Sequence, residues 1–71
     1  MARNEIGHSH QRTLHSDIMT LIEDGPIDMQ NIVIELGETW QECRRQVNQM
    51  QAERLVVIDK ESDNWIVEVM V

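Results

Sequence analysis

LGETWQECRRQVNQMQAERLV, residues 36–56, is the stretch on which the reading of this chain turns. Thr39 followed by Glu42 has the spacing of a capping box, in which the hydroxyl accepts an unpartnered first-turn N–H and the carboxylate reaches back to the cap. A helix is therefore predicted to start at Thr39. At about 3.6 residues per turn, Trp40, Cys43, Val47, Met50 and Arg54 fall on one side and make the predicted buried stripe. Gln41, Arg44, Asn48 and Ala52 fall roughly opposite. Glu38, Glu42 and Glu53 gather on a third flank, so the face centred on Arg44 holds no carboxylate although the chain is acidic. Arginine and side-chain amides pair with base edges while a nearby carboxylate repels phosphate, so this segregation is what a helix entering the major groove of DNA needs. Taken alone, such a helix reads more simply as a solvated face; its flanking sequence turns the balance.

On the N-terminal side, Gly37 permits the left-handed backbone of a tight helix-to-helix turn. Met29, Ile32, Val33 and Leu36 mark the buried face of a preceding helix, Met29 to Leu36, with Asp28 as its cap and Ile34 left outward. Ile27, between Pro26 and Asp28, suits an extended bridge of one or two residues. Before it, Leu14, Ile18, Leu21 and Ile22 recur at helical spacing, with Ser9 as the expected N-cap and Asp24, Gly25 and Pro26 as the stop. Residues 1–8 show no periodicity and read as a flexible arm, leaving 9–71 as one domain. On the C-terminal side, Leu55 to Asp59 is a β-branched run. Trp65 to Val71 alternates, with Trp65, Val67 and Val69 inward and Ile66 and Met70 outward. The polar residues 60–64 lie between them, which predicts a two-stranded β-hairpin.

The bounds are consistent with one small α+β domain. A chain of 71 residues is near the lower limit for an unaided core, which favours a partner chain. Its one cysteine, Cys43, excludes an internal disulfide and sits on the apolar stripe as a small hydrophobe. No membrane-length apolar run or signal-peptide core is present, and a cytoplasmic location is expected. The net charge of -7 opposes long-range attraction to DNA. At contact distance salt screens the far side of the molecule beyond about 10 Å, so the distribution of charge counts for more than its sum. The acidic balance, with arginine outnumbering lysine, is a weak hint of a high-salt organism or virus.

Leu36, Gly37, Glu38, Thr39, Cys43, Val47, Met50, Arg54, Leu55 and Val56 together resemble the pattern of small winged helix-turn-helix repressors, most closely MarR-type and related archaeal and viral regulators. The resemblance runs from about Ser9 to Val71. It departs at Glu38, where the family has an aliphatic residue, and at Arg54, where the recognition helix usually closes with Gly. If Arg54 takes the left-handed conformation the cost is about 1 to 2 kcal/mol, so either a slightly different helix end or a compensating interaction is expected.

The resemblance implies three helices followed by a hairpin wing, and a sequence-specific transcriptional regulator, a repressor, bound to double-stranded DNA. It places Thr39, Trp40, Gln41, Arg44, Arg45 and Asn48 at positions that face DNA. Chemistry suggests Arg44 for bidentate pairing with guanine, Gln41 and Asn48 for adenine, and Thr39 and Arg45 for phosphate. Trp40 borders the stripe and reads more readily as core than as a base contact. Lys60, at the wing tip between acidic neighbours, is a further DNA candidate. A homodimer through Ile34, Val57, Ile66 and Met70 would double the phosphate contacts.

No metal, cofactor or catalytic role is expected. His8, His10 and His15 lack the spacing of a zinc site, and there is neither a nucleophile arrangement nor a glycine-rich phosphate loop. The alternative function is an acidic winged-helix interaction module that binds another regulator or mimics DNA.

Overall fold

The computed structural model describes residues 13–71, and the expected N-terminal arm, with Ser9, His8 and His10, lies outside them. Three helices and three strands follow in the order α1 (Leu14–Ile22), β1 (Ile27–Asp28), α2 (Met29–Leu36), α3 (Trp40–Ala52), β2 (Val56–Asp59) and β3 (Ile66–Val69).

The first helix starts later than its expected cap at Ser9. Thr13 is extended, and its side chain accepts the Ser16 N–H at 3.0 Å. Its apolar side begins at once with Leu14, so the hydroxyl immediately before that residue serves as the cap. α2 covers the predicted residues, and Gly37 closes it in the left-handed conformation (φ 66°, ψ 28°). At α3 the Thr39 hydroxyl accepts the Glu42 N–H at 3.1 Å, which is one half of the predicted capping box. The other half is replaced, because the Glu42 carboxylate takes the Arg45 guanidinium at 2.9 Å.

At the end of α3 neither of the two outcomes expected at Arg54 occurs: the helix closes with the turn glycine would make, and among the described residues no side-chain contact compensates. Arg54 has φ 65°, and the Leu55 N–H reaches back to the Met50 carbonyl at 2.9 Å, the long bond of a Schellman turn. Arg54 is exposed, so it carries the left-handed penalty with no burial to offset it. Arg54→Gly is therefore expected to stabilise the domain by about 0.5 to 1 kcal/mol, the relieved strain less the greater entropy of an unfolded glycine. Chemical denaturation reads this directly. An unchanged or lower midpoint would show that the turn is unstrained.

The hairpin is present, and the short bridge adds a third strand to it. The sheet order is β1-β3-β2, antiparallel throughout. Ile27 faces Val67 and Asp28 faces Ile66, while Val56 faces Val69 and Ile58 faces Val67. Alternation puts Val56, Ile58 and Val67 inward and Val57, Asp59, Ile66 and Glu68 outward. Those inward residues complete a core with Ile18, Ile22, Met29, Ile32, Cys43, Val47 and Met50. Leu14, Leu21, Val33, Leu36, Leu55 and Trp65, expected in the core, pack against it while partly exposed.

Candidate nucleic-acid interface

Cys43, Val47 and Met50 are the fully buried residues of α3, and they fix its rotation. Two members of the predicted stripe drop out: Trp40 is 37% exposed, and Arg54 lies beyond the helix on the surface. With the buried arc centred on the remaining three, the outward arc runs through Asn48, Gln41, Ala52, Arg45 and Gln49, about 130 to 170° from it. All five are exposed, and none is acidic. Arg45 stands 66% exposed and pairs with Glu42 at the rim. The Thr39 hydroxyl is occupied as an acceptor by the cap, and its own proton remains able to donate.

Arg44 does not point outward as expected. It lies about 90° from the buried arc, on the flank that the wing covers. Its guanidinium sits 5.3 Å from the centre of the Trp40 ring and 4.9 Å from that of Trp65, and it donates to the Asp63 carbonyl at 2.6 Å. Its Nε is buried with no acceptor. Lys60 joins the same assembly, with Nζ 4.6 Å from the Trp65 ring and donating to Asn48 Oδ1 at 2.8 Å. The wing-tip cation is thus drawn onto the helix. Trp40, read as core or base contact, is instead a stacking face for Arg44. The two tryptophans are the only aromatic side chains apart from histidine.

A second anchor holds the same loop to α2. Asn64 Oδ1 accepts the Gln30 N–H at 2.7 Å, and its Nδ2 donates to the Asp28 carboxylate at 2.6 Å. The Met29 N–H bonds to the Trp65 carbonyl at 2.6 Å. Asp28 precedes α2 as expected, yet its side chain makes no capping bond to the helix backbone. It accepts from Asn64 and from Asn31, and these bonds, Asn64 first, hold its carboxyl below the usual carboxylate range. Asp28, Asp63, Asn64 and Trp65 are the residues that sequence reasoning missed in this role. The spacing of Trp40 and Arg44, one helical turn apart, was the available signal for the stack.

The four residues expected to form a dimer surface are exposed: Ile34, Val57, Ile66 and Met70. Val57 and Ile66 share the outer sheet face, whereas Ile34 is on α2. Among the described residues no cluster of His, Cys, Asp and Glu is arranged to hold a metal, and no helix is long and apolar enough to cross a membrane. Burial, with Glu38 and Glu42 nearby, raises the Cys43 thiol above its ordinary range and keeps it protonated.

No family model and no curated protein matches the chain. Among solved structures, reduced HlyU from Vibrio cholerae N16961 superposes with a TM-score of 0.76 over 93% of this chain and 70% of its own, at 11% identity. The likeness at that identity is one of fold: the chain adopts the winged helix-turn-helix architecture.

Proposed function

We propose that the protein is a sequence-specific double-stranded DNA-binding transcriptional regulator, acting as a repressor, with α3 in the major groove. The observation that carries this reading is the carboxylate-free outward arc of α3 on a winged-helix frame. Gln41 and Asn48 present amides suited to adenine, Arg45 and Thr39 suit phosphate, and Trp40, Arg44 and Lys60 border the arc on its wing side. Two copies, joined through the exposed apolar residues Val57, Ile66 and Met70 with Ile34 as a further contact, would present two such helices to a pseudo-palindrome.

Selection from a random duplex pool tests the reading. Enrichment of a defined sequence is expected, with affinity falling by about tenfold or more between 50 and 200 mM salt as counterions are released. Failure to enrich any duplex, together with a tight complex with another regulator, would replace it by the acidic interaction module that the net charge of -7 favours.

A further inference from the structure

We infer that Arg44 is a positioning residue that locks the wing to α3 rather than a reader of bases. Bidentate pairing with guanine needs a guanidinium with two free, solvent-facing donors. Here the plane is flanked by Trp40 and Trp65, one terminal nitrogen is spent on the Asp63 carbonyl, and Nε is sealed from water. To reach a base edge the side chain would leave both rings and that carbonyl together. Sealing Nε without an acceptor is unfavourable in itself, so the stacking and the bond to the wing must outweigh it for this arrangement to persist.

Lys60 works from the other end of the same lock. Its bond takes one lone pair of Asn48 Oδ1 and fixes the amide plane, leaving the second lone pair and Nδ2 of this outward residue for a base, while Trp65 sits beneath the ammonium. The specificity consequence rests on the DNA-binding reading above: base choice falls to Gln41 and Asn48, with the wing held as their support. Preferred sites are then centred on adenine contacts and lack a guanine read by Arg44.

The test compares the full chain with Arg44→Ala, Arg44→Lys and Trp65→Leu by two measurements. Hydrogen exchange without DNA is expected to quicken across residues 60–65 by about tenfold in both Arg44→Ala and Trp65→Leu, because either change removes the stack. In selections from a random duplex pool, both variants should lose affinity evenly across sequences while keeping the wild-type consensus and its salt slope. A base reader would behave otherwise: Arg44→Ala would change the preferred base at one position, with exchange in 60–65 unaltered, and that result overturns the inference. Should Arg44→Ala fail to fold, Arg44→Lys, which keeps the charge but not the planar fork, shows the same contrast. Wild-type protein that enriches no duplex overturns the proposed function alone, and the exchange comparison still decides the lock.

Discussion

Cys43→Ser is expected to destabilise the domain by about 1 to 3 kcal/mol, the cost of placing a hydroxyl without an acceptor in an apolar interior. Cys43 is fully buried beside the other core residues of α3, Val47 and Met50, and the serine oxygen would meet hydrocarbon where sulfur now packs. For a domain of this size each kcal/mol shifts the melting temperature by about 4 to 8 °C, so thermal denaturation resolves the change easily. The same burial gives a pH dependence with a definite sign. The folded state raises the thiol above its unfolded value and favours the protonated form, so this contribution is whole below the ordinary thiol range and fades as pH rises through it. The native thiol should also resist alkylation until the protein is denatured. Rapid labelling of native protein, or a serine variant as stable as the parent, would mean that α3 is rotated from the placement described.

Asn64→Ala is expected to cost about 1 to 2 kcal/mol, the range for a lost helix cap, because Asn64 satisfies a first-turn amide of α2. The alanine leaves the Gln30 N–H without its acceptor and the Asp28 carboxylate without one of its two amide donors. Acid should weaken the parent protein through the same contact. The carboxyl of Asp28 is lowered in the folded state, so its contribution is present above the ordinary carboxylate range, about pH 4, and is lost as pH falls through the folded value. In the Asn64 variant the acid side of the stability profile should flatten. Calorimetry across pH 2 to 7 distinguishes the two profiles, and parallel curves would show that the bond contributes nothing.

The helices were legible because their signals are local. A threonine three residues before a glutamate marks α3, and a glycine in the left-handed region marks the end of α2, as their periodicity required. At Arg54 periodicity misled by adding it to the stripe, and only the resemblance, which has Gly there, raised the left-handed end that the structure adopts. The site was harder to read, since its side chains are arranged by contacts across the sheet. Including Trp40 and Arg54 in the apolar stripe left the face centred on Arg44 as the apparent outside. In the fold the stripe is narrower, and that face divides between an exposed arc and a flank under the wing. Asn64 looked like one more polar residue of a turn; that it completes α2 depends on pairing at a separation of 34 residues, which local spacing does not encode. The extended bridge at Ile27 was legible, but its pairing with β3 was not, since the ladder partners lie 38 to 40 residues away.

The way α2 begins also bears on the birth of the molecule. Its first two amides find their acceptors at Trp65 and Asn64. A chain that has not yet gained residues 64 and 65 is therefore expected to hold the second helix with a frayed start. A released chain truncated before residue 64 should be cut readily by protease near residues 28–30, and the full chain should resist.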